Sequence, residues 1–138
     1  MKILVAVDGS KSALKAVQTL IDHCERHKRQ PQIELLTVHL PVPKIAHTNK
    51  AQLDRYYQEE GEAMLAPARK KLDAAGISYQ TKVLVGPIAE TIVKHAKANG
   101  FDIIYLGTRG MGPVGQALLG STATKVLHIA ETPVLVVR

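Results

Sequence analysis

Five glycines lie within fourteen residues, at Gly107, Gly110, Gly112, Gly115 and Gly120, and the hydroxyls of Ser121 and Thr122 follow directly. Glycine tolerates positive φ and lets another group approach the backbone closely. Exposed amides beside a helix N-terminus form a site for anions, phosphate above all. Arg109 adds a cation inside the run. A plain connector between a strand and a helix would not need glycine so often.

Two familiar phosphate motifs fail here. Gly110, Gly112 and Gly115 spell GxGxxG, but a dinucleotide fingerprint needs an acidic residue ending the next strand, about 20 residues on. Glu131 has that distance and precedes the last apolar run instead of following it. Gly115 to Ser121 spells a Walker A motif without its lysine, and it falls largely inside the last helical pattern.

Asp8 ends the first apolar run. Its carboxylate could accept a ribose hydroxyl or meet a phosphate through a divalent cation. It could equally make a turn or a helix cap. A phospho-receiver reading lacks its acidic cluster, the aspartate ending the third strand and the late lysine. A flavodoxin-like reading would place a carboxylate where phosphate must sit. His23 and His27 have helical metal-ligand spacing, but Arg26 and Lys28 beside them suggest a solvated face. His39 ends a strand with no nucleophile paired to it. No Ser-His-Asp or Cys-His arrangement stands out, so any enzyme activity is expected to be at most slow.

These residues need positioning elements, and the pattern supplies them. Ile3–Val7 is a continuous apolar run that predicts a strand covered on both faces; Ile33–Val38, after Pro31, is read as the second strand and Phe101–Leu106 as another buried one. Tyr79–Val85 alternates, as a sheet-edge strand does, and Val134–Val137 closes the chain. Ala13, Leu14, Val17, Leu20, Ile21 and Cys24 form a helical stripe behind a Ser10 or Ser12 cap. Leu53, Tyr57, Met64, Leu65, Ala68 and Leu72 form a second, which Pro67 should kink or break. A third begins at Gly86-Pro87, and a fourth spans about 116–130. Strands and helices alternate from end to end over residues 1–138, which predicts one α/β domain. Its parallel sheet would be doubly wound, with helices on both faces. Ligands of such sheets bind beyond the carboxyl ends of the strands, where strand order reverses.

Composition sets the outer bounds. Of 138 residues, 46% are hydrophobic and 22% charged, enough apolar surface to exclude disorder as the main state. Cys24 is the single cysteine, so no internal disulfide can form, and a reduced cytoplasmic setting fits. The opening apolar run stops at Asp8, too short for a secretory segment. No run approaches the roughly 18 residues of a membrane span. The net charge is +6, but the basic residues are scattered. With no Trp and one Phe, base stacking is poorly served. Nucleic acid and membrane are therefore not expected partners.

Gly107-x-x-Gly110, nine further residues, then Gly120-Ser121 resembles the nucleotide-binding signature of the universal stress protein family. The opening Ile-Leu-Val-Ala-Val-Asp-Gly-Ser, the Leu35–Val38 strand end and the closing Thr-Pro-Val-Leu-Val-Val agree with it over the whole chain. The resemblance implies a Rossmann-like five-stranded sheet of order 3-2-1-4-5. It implies ATP or AMP in the crevice between strands one and four, with Mg²⁺ carried on the phosphates. Ala6, Val7 and Asp8 would line the base and ribose, and the Val38 backbone would meet adenine. Gly107, Thr108, Arg109 and Gly110 would wrap ribose and phosphates, with Gly112 in the same loop. Gly120, Ser121 and Thr122 would close over the phosphates. Arg109 could assist them or point to solvent.

The resemblance also implies a homodimer paired through Val134–Val137, a short apolar edge that invites pairing. The expected function is a nucleotide-dependent regulatory switch in stress response, acting on an unidentified protein partner. The alternatives are a slow ATPase or self-phosphorylating enzyme, with Ser121 or Thr122 as acceptor, and an interaction module that needs no nucleotide.

Overall fold

Odd and even residues of the buried runs pack on opposite faces of one sheet. The computed structural model describes residues 1–28, 30–43, 48–108 and 119–138. Its strands are β1 (Lys2–Ala6), β2 (Gln32–His39), β3 (Gln80–Val85), β4 (Ile103–Gly107) and β5 (Val134–Val137), all parallel, in the order β3-β2-β1-β4-β5. Four helices alternate with them: α1 (Lys11–Arg26), α2 (Lys50–Ala74), α3 (Ile88–Ala98) and α4 (Ser121–Ile129). The class is the one the alternation of strands and helices predicts, and the order is the one the family resemblance implies.

Ile3, Val5, Ile33, Leu35 and Tyr105 pack against α1 and α2 through Val17, Leu20, Leu65 and Leu72. Leu4, Leu36, Val38, Ile104 and Leu106 pack against α3 and α4 through Ile92, Ala96 and Val126. Burying both faces explains why Ile3–Ala6 and Ile103–Leu106 read as apolar runs, while β2 carries Glu34 and Thr37 among its apolar residues. Full burial of each Leu or Val contributes about 1.5–3 kcal/mol.

Local chemistry sets the helix ends. The Ser10 hydroxyl accepts from the Ala13 N–H at 3.1 Å and caps α1. Asn49 and Gln52 form a reciprocal capping box that opens α2. Gly76, at φ +68°, ends the turn after α2, and the Ile77 N–H returns to the Leu72 carbonyl.

Two expectations need correction. Of the kink or break expected at Pro67, the break does not occur: Pro67 lies inside α2, which is continuous over 25 residues. The donor lost at Pro67 belongs opposite the carbonyl of Ala63, an exposed residue whose carbonyl water can satisfy. The last helix does not include residues 119 and 120: α4 starts at Ser121, with Gly120 extended as its N-cap and Leu119 outside the helix. Leu119 continues the apolar period without belonging to the helix.

β3 is a guarded edge. Arg69 from α2 reaches the Thr81 hydroxyl at 3.1 Å and pairs with Glu62 at 2.7 Å, and Lys82 is exposed beside it. Gly61 brings α2 onto this strand so closely that a Cβ there would lie 2.5 Å from both methyls of Val83. Among the described residues, no helix is long and apolar enough to cross a membrane.

Candidate functional site

β1 and β4 lie side by side, and the chain leaves them in opposite directions, toward β2 and toward β5. Their carboxyl ends therefore flank a crevice. Ala6, Val7 and Asp8 enter it from β1, Leu36 and Val38 from β2, and Leu106 and Gly107 from β4. Ile88 and Ile92 of α3 form one wall, and Thr122 and Ala123 of α4 close the other side. Among these lining residues Asp8 is the one ionisable group.

Asp8 makes the turn from β1 into α1. Its Oδ1 accepts from the Ser10 N–H at 2.9 Å, and Gly9 follows at φ +82°. Turn former and crevice carboxylate are thus the same residue: one oxygen fixes the backbone, and the other is available to a ligand hydroxyl. The two readings of Asp8 left open by the sequence are compatible.

Val38 presents its backbone. The Leu36 carbonyl accepts from the Val7 N–H at 2.8 Å, so it faces β1, while the His39 carbonyl accepts from the Gly86 N–H at 3.0 Å, away from β1. Polar groups alternate sides along a strand. Those of Val38 therefore face the β1 side, where β1 has already turned away at Asp8.

Gly107 needs to be glycine because of α1. A Cβ there would lie 2.5 Å from the carbonyl carbon, carbonyl oxygen and hydroxyl oxygen of Ser12. The lost side chain makes room for the first turn of α1, a contact that the glycine count alone could not assign. The next residue, Thr108, is buried and its hydroxyl lies 3.5 Å from that of Ser12.

Gly120 caps α4 without a side-chain acceptor, so the first-turn amides of α4 are not taken up by a capping side chain. Thr122 lies on the crevice side. Ser121 does not: it is exposed and borders an outer hollow with Leu119, Thr124, Lys125, Leu127 and His128. Arg109, Gly110 and Gly112 lie outside the described residues.

The structure therefore gathers Ala6, Val7, Asp8, Val38, Gly107 and Thr122 around one crevice, with Thr108 and Gly120 behind it. Sequence reasoning missed Leu36, Ile88, Ile92 and Leu106 as crevice residues, because apolar positions near strand ends look the same as core. Lys125 of α4 pairs with Glu90 of α3 beside these walls, and this pairing holds the Glu90 carboxyl below the usual range.

His23 differs from its expected solvated face. Its Nδ1 shares a 2.7 Å hydrogen bond with the Tyr105 hydroxyl, which offers the ring a partner against β4. His39 stacks edgewise on Tyr56 and Tyr57, at 5.7 and 5.2 Å between ring centres. Among the described residues no group of three metal-ligating side chains converges.

The model of the universal stress protein family matches residues 1–138. A universal stress protein of Thermus aquaticus is 35% identical over 144 residues, covering 99% of this chain and 97% of its own. A structure of the Methanocaldococcus jannaschii protein MJ0577 aligns with a TM-score of 0.81 at 29% identity, covering 99% of this chain and 94% of that one. A universal stress protein solved in complex with cAMP aligns with a TM-score of 0.74 at 24% identity, covering 100% of this chain and 97% of that one.

Proposed function

The chain belongs to the universal stress protein family, and from that premise we propose that its crevice binds an adenine nucleotide whose occupancy is read by a protein partner. The observation that carries this reading is the pairing of two chemistries in one pocket. Leu36, Val38, Ile88 and Ile92 offer an apolar slot suited to a flat base. The Asp8 carboxylate and the α4 N-terminus offer a hydroxyl acceptor and an anion site.

The donor set fits ATP or AMP. The Val38 backbone would meet the edge of the base, Asp8 the ribose, and the α4 amides with the Thr122 hydroxyl the phosphates. The glycine run from Gly107 onward would supply further amides. Mg²⁺ would enter on the phosphates, since the pocket lining offers it one carboxylate. The bound group supplies charge and shape, and the chain's own residues bind and orient it. A fold closely similar to this one holds cAMP in another member of the family.

A regulatory switch requires a partner that distinguishes the occupied from the empty form. The test begins with mass spectrometry of small molecules released from the purified protein, followed by titration of the stripped protein with ATP and AMP. Adenine nucleotide should be recovered and should rebind at micromolar concentration, about −8 kcal/mol. A protein that is empty as isolated and fails to bind either nucleotide overturns the reading.

A further inference from the structure

Among the described residues Glu34 is the one carboxylate in any strand of the sheet. Side chains two apart along a strand share a face, so Glu34, Leu36 and Val38 form one row on β2. Leu36 and Val38 line the crevice, and Glu34 is the member of the row farthest from its mouth. α3 carries a matching row. Ile88, Ile92 and His95 are spaced i, i+4 and i+7, on one side of the helix. Ile88 and Ile92 line the crevice, and His95 comes next along that side. The strands are all parallel, so α3 returns the chain from β3 to β4 and runs against them.

The two rows therefore run in opposite senses from the crevice. Glu34 to Val38 spans about 13 Å of strand, and Ile88 to His95 about 10 Å of helix, so the rows match in length. Their far ends meet: Glu34 Oε1 lies 2.5 Å from His95 Nε2. The side chains of His95 and Glu34 are only 11% and 17% exposed, so water competes little for this bond. Asn99 sets the tautomer. Its amide nitrogen lies 2.9 Å from the His95 carbonyl oxygen and 3.2 Å from His95 Nδ1. An amide N–H can only donate, so Nδ1 accepts and the ring proton sits on Nε2, where it donates to Glu34. The Phe101 ring backs the imidazole, 5.7 Å away between centres.

We infer that Glu34 and His95 are positioning residues for the base slot, although neither lines the crevice. Their bond holds α3 at one depth and rotation on β2. It thereby sets the gap between Ile88 and Ile92 on one wall and Leu36 and Val38 on the other. The apolar contacts of Ile92 and Ala96 are non-directional and do not fix that gap by themselves, whereas a hydrogen bond is directional. The gap decides how closely a flat ring is gripped, because dispersion contact is lost within about an ångström of separation. This inference rests on the nucleotide reading of the crevice.

The test titrates stripped protein with AMP and with ATP by calorimetry, and records the melting temperature of each variant. Glu34→Ala and His95→Ala should each weaken binding about tenfold, and the double variant should bind no more weakly than either single one, as contacting partners do. AMP and ATP should lose the same factor, because both carry the base. Glu34→Gln keeps an oxygen to accept the His95 Nε2–H and should stay within about twofold of the parent. Glu34→Met keeps the length without the acceptor and should behave as the alanine variant does, which supplies the comparison if alanine prevents folding.

Unchanged affinity in Glu34→Met and His95→Ala overturns the inference even where the melting temperature falls, since a purely structural pair would move stability alone. Additive losses in the double variant overturn the pairing. A loss confined to ATP places the effect on the phosphate side and overturns it equally. In each of these cases the nucleotide reading survives. Wild-type protein that binds neither nucleotide removes that reading and this inference with it.

Discussion

The carbonyl oxygen of Ser12 sits 2.5 Å from the point where a Cβ on Gly107 would stand. The last residue of β4 and the first turn of α1 therefore meet backbone against backbone. Because Ser12 is held by the helix that Ser10 caps, neither side can give way cheaply.

Gly107→Ala should cost about 1–3 kcal/mol or more through forced displacement of that turn. The urea midpoint should fall with little change in slope. An alanine variant as stable as the parent would show that α1 shifts freely and would remove the packing account of this glycine.

Asp8→Asn keeps an oxygen to accept from the Ser10 N–H and removes the charge. Stability should change little. ATP affinity should fall about tenfold, the difference between a charge-assisted and a neutral hydrogen bond. The preference for ATP over its 2′-deoxy form should shrink with it, if the carboxylate meets that hydroxyl. Calorimetric titration of both nucleotides against both proteins checks this, and unaltered ATP affinity would remove Asp8 from the binding set.

Burial, with a smaller contribution from Cys24, raises the Tyr105 phenol above its ordinary value near 10. The unfolded chain therefore ionises this phenol first. Its contribution to stability is complete below pH 10 and is lost as pH rises from there through the raised folded value. Tyr79, raised by burial and by its hydrogen bond to Asp73, acts with the same sign. Tyr105→Phe should cost about 1 kcal/mol at neutral pH by leaving His23 without its partner. It should also flatten, without abolishing, the alkaline fall in melting temperature. An alkaline profile identical to the parent's would contradict the assignment.

Cys24 is 8% exposed and burial pushes its thiol up, so little thiolate forms near neutrality. A chromogenic disulfide reagent should leave the native protein unmodified for as long as it stays folded and should react at once in denaturant. Rapid labelling under native conditions would place Cys24 outside the α1 core.

The first strand was legible because Ile3–Val7 is apolar on both faces, a signal that a doubly covered sheet requires. The order of the strands was not. Which strand lies beside β1 depends on pairings between residues a hundred positions apart, such as Ile3 with Ile103, and it entered through resemblance. Gly61 gave no warning, because its constraint is Val83, a residue on another element. The start of α4 was misplaced because Leu119 fits the helical period although Gly120 is the cap. His23 was misjudged from its charged neighbours in sequence, whereas Tyr105 across the sheet decides its setting. Ser121 and Thr122 were equivalent in sequence and differ in the fold, since successive helix positions point about 100° apart.

The two margins of this sheet are unlike. On one side Arg69 lies over Thr81 and Lys82 stands exposed, while the other carries four uncharged residues. Endless edge-to-edge growth needs an adhesive strand on both sides of every molecule. Self-pairing through β5 would consume the uncharged margin of each copy and leave a charged one facing outward at either end. Assembly by that route would stop at two, and the guarded β3 is what would keep a sticky strand from seeding a fibre.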